Sequence, residues 1–286
     1  MSGSRGPSVR QRRLAAELRR LRESRRLTGD DVADRLAWST AKVSRIENAR
    51  TGAKIPDVQR LLDLYDVRGD RRDDLLALAR DAGERGWWED YRDLPRPLAD
   101  FIALESEAGT IRQWESGCVP GLVQTEAYAR RLTEGFNELS TMPPGEIARR
   151  VEIRIKRQDL LHWTKPPRLL LVIDEAVLRR RVGDADVMRE QLDHMARIGD
   201  LPHVTLQILP LDVPHSVVVE SFTLLEFPPA YDVTFPDIVH TESITISHSA
   251  DERFTHMYRL AHNSLASQAL TPAETRQRII EARDLW

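Results

Sequence analysis

Residues 27–65 read LTGDDVADRLAWSTAKVSRIENARTGAKIPDVQRLLDLY, and their spacing decides the fold of the N-terminal region. Thr28 stands just before a short apolar periodicity, Val32, Ala33 and Leu36. Asp31 follows three residues on, where it can close a capping box. Ser39 repeats the pattern ahead of Val43 and Ile46. Pro56 falls in the first turn of the next helix, where its missing N–H costs nothing, and Val58, Leu61, Leu62 and Tyr65 continue the inner face. Upstream, Leu14, Leu18 and Leu21 recur at helical spacing over Gln11–Arg26, with arginines on the other faces. The first 65 residues therefore read as four short helices with tight connections.

Working outward, charge is the next signal. Residues 1–60 hold 15 Lys/Arg against 7 Asp/Glu, an excess of +8 within a chain whose net charge is −3, so the rest carries −11. A basic head on an acidic body implies that the head meets a polyanion and the body does not. A hydrophobic content of 41% with 30% charged residues fits a globular chain able to bury a core. No apolar run reaches the ~20 residues of a membrane span. The first residues, MSGSRGPSVRQRRLAAELRR, have no apolar stretch of a secretory leader, and the single Cys118 excludes an internal disulfide framework. A cytoplasmic protein with no membrane partner is expected.

The stretch 27–65 resembles the helix-turn-helix of the phage-repressor-like, or XRE, family. The resemblance implies that Val43 and Ile46 anchor a recognition helix, 39–48, whose outward residues Thr40, Ala41, Lys42, Ser44 and Arg45 meet the major groove of double-stranded DNA. Arg45 can pair bidentately with a guanine edge, and Lys42 can reach guanine or a phosphate. Ala41 and the Thr40 methyl can pack on a thymine methyl. Backbone amides at Thr28 and Ser39 can hold phosphates, and Arg50 and Lys54 can grip the backbone. Arg22 and Glu47 occupy positions that the family pairs, so Glu47 is expected to be structural. Where the family commonly has Gln after the cap of the second helix, this chain has Gly29. A protein-interaction adaptor with a helical head is the alternative.

Residues 1–10 read as a disordered basic tail, 11–68 as the helix-turn-helix domain and 69–97 as a linking helix with a Trp-rich connector. Residues 98–286 read as a regulatory and dimerisation domain. Helical patterns cover 98–108, 124–136, 145–163, 184–197, 250–267 and 271–285. Strand-like runs are Arg168–Ile173, Val204–Leu209, Phe222–Phe227 and Asp237–Thr241. The expected fold is a mainly α helix-turn-helix domain followed by an α+β domain with a small, mostly antiparallel sheet.

Nothing in the body reads as catalytic. Asp174-Glu175 ends a strand and starts a helix, where capping explains carboxylates. His240, His248, His256 and His262 lack zinc-ligand spacing, and Cys118 has no low-pKa context. No P-loop, GxGxxG or GxSxG occurs. The reading is that the chain is not an enzyme and needs no metal or cofactor. Trp87, Trp88 and Trp114 either line a small-molecule pocket or serve as core.

A second resemblance spans nearly the whole chain. Ala37-Trp38-Ser39, Lys42–Glu47, Arg85-Gly86-Trp87-Trp88, Val119–Thr125, Ile173–Ala176 and Phe222–Phe227 together are similar to the antitoxin-like regulators of the WhiJ and Scr type. That resemblance implies a homodimeric transcriptional regulator whose body receives a signal, either a small acidic partner protein or a ligand. Ile244–Ser247 departs from the pattern of those relatives.

Overall fold

Capping side chains set where the N-terminal helices begin. The computed structural model describes residues 7–91, 94–136, 142–215, 217–242 and 246–286. Helix α1 (Val9–Ser24) opens with a capping box between Ser8 and Gln11, so Val9 and Arg10 of the expected tail lie in a helix. Helix α2 (Gly29–Leu36) opens on the Thr28–Asp31 box, and α3 (Thr40–Glu47) on Ser39. Helix α4 (Ile55–Leu64) has Pro56 in its first turn. Two left-handed residues, Ala37 and Ala49, end α2 and α3 and make the turns tight.

Helix α5 (Gly69–Asp81) begins just past the expected boundary at residue 68. Leu75, Leu78, Ala79 and Ala82 share one buried cluster with Leu14, Leu18, Val32, Val43, Ile46, Val58 and Leu62. Their apolar face has nowhere else to go, so this helix is part of the head rather than a linker. Chain contacts divide the described residues into two compact units. One comprises Met1–Glu107 with Phe227–Phe235, the other Ala108–Glu226 with Pro236–Trp286. Helix α6 (Arg96–Glu105) completes the first unit.

The second unit is α+β. It is built on strands β1 (Thr110–Glu115), β2 (Arg168–Asp174), β3 (Val204–Leu209), β4 (Phe222–Glu226), β5 (Ile238–Glu242) and β6 (Ile246–Ser249). Helices α7 (Glu126–Gly135) and α8 (Pro144–Arg157) connect β1 to β2, and α9 (Ala176–Arg179) and α10 (Ala185–Gly199) connect β2 to β3. Helices α11 (Glu252–Gln268) and α12 (Pro272–Asp284) follow the sheet.

The sheet runs β3-β2-β1-β4-β5-β6, with β3-β2-β1 parallel and the remaining pairings antiparallel. It is thus mixed, its parallel half made by two helical crossovers. Strand β2 is apolar at nearly every position (LLLVI) because both faces are covered, as parallel strands demand. Central strand β1 is absent from the sequence-based strands. Its buried residues, Ile111 and Trp114, are three apart and point to opposite faces, so no two-residue alternation marks it. Of the segment Ile244–Ser247, residues 244 and 245 lie outside the described residues.

Candidate nucleic-acid interface

The head holds α3 by its inner face and leaves a stripe outward. Val43 and Ile46 are buried in the head cluster. Ser39 Oγ accepts the Lys42 N–H at 3.2 Å, fixing the first turn. Thr40, Ala41, Ser44 and Arg45 are exposed along the opposite side. Thr40 Oγ1 donates to Asp30 at 2.7 Å, tying the start of α3 to the start of α2. Asn48 donates to the Ser44 carbonyl at 2.8 Å and stiffens the far end. Arg45 makes no side-chain bond among the described residues, and Arg50 and Lys54 are exposed in the loop beyond.

Lys42 departs from its expected outward reach. Its ammonium lies 2.6 Å from Asp57 Oδ1 and 3.8 Å from the centre of the Trp38 ring, with Arg60 on the same ring at 5.2 Å. Arg60 also donates to the Leu36 carbonyl at 2.7 Å. The Lys42 stem therefore lies back over the residue before its helix, and its charge joins α3 to α4. Spacing on one helix could not show this, because Asp57 comes from another.

The two helix starts differ as anion sites. At Thr28 the backbone N–H is already spent on Asp31 Oδ2 at 2.7 Å, and Asp30 and Asp31 both occupy the first turn. The bonds from Thr28 hold the Asp31 carboxyl below its usual range, so a negative charge persists there. The Thr28 N–H itself is therefore taken, and the Gly29 and Asp30 amides beyond it stand beside two carboxylates. At Ser39 the first turn carries no acidic residue, and the Thr40 and Ala41 amides make no bond among the described residues. Asp30, bonded to the Thr40 hydroxyl, is the acidic side chain that reaches this start.

Arg22 and Glu47 lock the back of α3. Arg22 Nε donates to Glu47 Oε1 at 2.8 Å and Nη2 to Oε2 at 3.0 Å, a bidentate pair with side chains only 13% and 8% exposed. The remaining arm donates to the Leu27 carbonyl at 2.6 Å. Glu47 raises the Arg22 pKa further, and burial beside Glu47 pushes the Tyr65 hydroxyl well above the phenol range. The head's basic excess is thus partly internal. Glu17, 4% exposed, bonds Arg20 at 2.7 Å and Arg71 at 2.6 Å.

The body's candidate groups resolve differently. Trp114 is buried, and its indole N–H donates to the Val219 carbonyl at 3.2 Å. Trp87 meets Trp88 edge to face at 6.0 Å, and Gly86 is required there because any Cβ would lie within 2.5 Å of the Trp88 ring. The cleft lies elsewhere. A volume of about 490 Å³ opens just past the ends of β2 and β3, lined by Glu175, Leu178, Arg179, Leu211, Arg278 and Leu285. Glu175 is held there by Arg278 at 2.9 Å and by the Leu211 N–H at 3.2 Å. His240 and His248 meet across β5 and β6 at 2.8 Å, a pairing invisible to linear spacing. Among the described residues no group of three or more His, Cys, Asp or Glu could hold a metal ion. Burial and the nearby Glu115 push the Cys118 thiol up to about 12, so it is not a ready nucleophile.

A capped, outward-facing helix anchored on a compact helical bundle defines a helix-turn-helix DNA-binding domain, and residues 13–75 match that domain family. Residues 98–281 match the family described as a domain of unknown function, DUF5753, and the chain belongs to it. No curated protein and no solved structure matches. No described helix is long and apolar enough to cross a membrane.

Proposed function

We propose that this protein is a sequence-specific transcriptional regulator of the antitoxin-like WhiJ and Scr type, and that it reads an operator through α3. The observation that carries the reading is the outward stripe Thr40, Ala41, Ser44 and Arg45, on a helix whose own first turn carries no acidic residue. Arg45 is the guanine reader. The Thr40 and Ala41 amides, Arg50 and Lys54 hold phosphates. Arg22, Glu47 and Lys42 set the helix rather than touch DNA.

One such head buries only ~600–1,000 Å² on DNA, little for selecting one site in a genome. A two-fold dimer supplies a second half-site and raises affinity by ~10²–10⁴. The protein is therefore taken to act in the cytoplasm as a homodimer assembled through its body. The body also receives the signal, a small partner protein or a ligand. The cleft beside Glu175 supports the ligand, since its volume falls within the ~300–1,000 Å³ of small-molecule sites.

The test is selection of duplexes from a random pool by the full chain, with its mass followed by analytical ultracentrifugation. An inverted repeat with half-sites one or two helical turns apart, bound by a dimer, is expected. Recovery of no consensus sequence sinks the reading.

A further inference from the structure

The helical unit is not made of N-terminal residues alone. Phe227–Phe235, which the chain threads between β4 and β5, belongs to it. Ala230 and Val233 exchange both backbone bonds, at 3.1 and 2.9 Å, closing a hairpin on two residues. Those two, Tyr231 and Asp232, hold φ angles of 53° and 55°. Turns of this hand favour Asn-Gly, so a tyrosine in the first position persists only where contacts compensate it.

The contacts are specific. Val233 is 5% exposed within the cluster formed by the head's helices, and Tyr231 packs against the same cluster. The Tyr231 hydroxyl donates to Asp81 of α5 at 2.6 Å, and its carbonyl accepts from Arg71, whose other arm holds Glu17 of α1. Arg13 of α1 is buried and donates to the Pro228 carbonyl at 2.7 Å, with Phe235 beneath its guanidinium at 5.9 Å. The hairpin thus supplies an acceptor for one arm of a buried cation on α1, whose Nε has no hydrogen-bond partner.

Its feet are equally defined. Glu226 and Asp237 flank it, and one guanidinium, Arg259 of α11, bonds both, reaching Glu226 at 2.8 Å. Arg112 adds a second bond to Glu226 at 3.0 Å. We propose that this hairpin couples the two units. Arg259 sets the spacing of its feet, and α1 and α5 respond at its tip, so an event at α11 changes the stability of the DNA-binding head. The consequence for DNA rests on the function proposed above, but the coupling does not.

The experiment is amide hydrogen exchange on the full chain, comparing α1 and α5 with β2 and β3. Val233→Ser should speed exchange in α1 and α5 by about 10- to 100-fold and leave β2 and β3 at parent rates. Tyr231→Phe, which keeps the fold and removes one hydroxyl, should act in the same place by a smaller factor, roughly threefold. Arg259→Gln is the decisive variant, because its partners are the feet alone. It should speed exchange in α1 and α5 and weaken binding to the selected operator in parallel. Parent rates in α1 and α5 in Val233→Ser, or in Arg259→Gln, overturn the coupling. Exchange shifts in a protein that binds no DNA would uphold the coupling and overturn the function instead.

Discussion

The two units differ in how they hold some of their buried ionisable groups. The head pairs Arg22 with Glu47, and Arg20 and Arg71 with Glu17. The body pairs Glu175 with Arg278 but holds two other groups without a bonded opposite charge. His262 is 3% exposed, bonds the Leu170 carbonyl through Nε2 at 3.0 Å and leaves Nδ1 without a partner. Burial lowers its pKa to about 4. Glu115, at the end of the central strand, is pushed by burial up to about 7 despite its bond from Gln113 at 2.8 Å. A charged pair stays charged across the neutral range, whereas burial without an opposite charge favours the neutral form, as for His262 above about pH 4 and Glu115 below about pH 7. The Arg22–Glu47 pair is thus suited to hold α3 as pH varies, whereas His262 and Glu115 make the body's stability depend on pH.

The largest effect that could break this comparison is in the head. Glu47→Leu strands the Arg22 guanidinium and should cost about 3–5 kcal/mol, while Glu47→Leu combined with Arg22→Met should cost less. The readout is a double-mutant cycle on exchange-derived stability of α1 and α3 in the full chain. Strictly additive losses would mean that the pair carries no coupling.

In the body the expected sign differs for each group. A histidine whose folded pKa is depressed contributes stability that is complete above its unfolded value near 6.5 and is lost as pH falls toward about 4. A carboxylate whose folded pKa is raised contributes stability that is complete below its unfolded value near 4.5 and is lost as pH rises toward about 7. Between roughly pH 4.5 and 6.5 the two slopes oppose and nearly cancel. The combined contribution of these two groups should therefore be almost flat there, with His194, also lowered by burial, adding a slope of the same sign as His262. Glu115→Gln should unmask a stability that rises by about 1.4 kcal/mol per pH unit, and His262→Gln one that falls by about as much. Denaturant melts of the body at several pH values measure both. Equal slopes in parent and variants would show that neither group is buried as described.

How much of this was legible in the sequence follows from range. The head's helix starts depend on residues three positions apart, so Ser39 and the Thr28–Asp31 box could be read directly. Strand β1 could not, because Ile111 and Trp114 are buried by a sheet whose neighbouring strands lie 58 to 116 positions away. The turn of Lys42 toward Asp57 and Trp38 was hidden for the same reason on a smaller scale. Least legible was the hairpin. FPPAYDVTF looks like a loop between strands, and nothing local says that Val233 completes a helical core more than 150 residues upstream in the chain.

The next effect, moderate in size, concerns the outward stripe. Arg45→Ala should cost about 1–3 kcal/mol in operator affinity and relax the preference at one base pair, with the stability of α3 unchanged. Unchanged discrimination in a competition titration would remove Arg45 from the reading surface.

The smallest effect sharpens which of the head's cations meet DNA at all. Affinity for duplex DNA falls with salt because each neutralised phosphate releases counterions, at a slope of about 0.9 per contact. Counting arginines and lysines overstates that number, because a cation already bonded to a carboxylate adds no net charge for a phosphate to meet. Lys42 is bonded in this way to Asp57, while Arg50 and Lys54 are exposed. Lys42→Gln should therefore leave the salt slope at its parent value and cost only about 1 kcal/mol of stability, through the lost bond and ring contact. Arg50→Gln should leave stability unchanged and lower the slope by about one. Titrations on the same duplex at four or five salt concentrations separate the two. If Lys42→Gln flattens the slope and Arg50→Gln does not, Lys42 leaves Asp57 on binding, and the outward role first read from the helix spacing belongs to it after all.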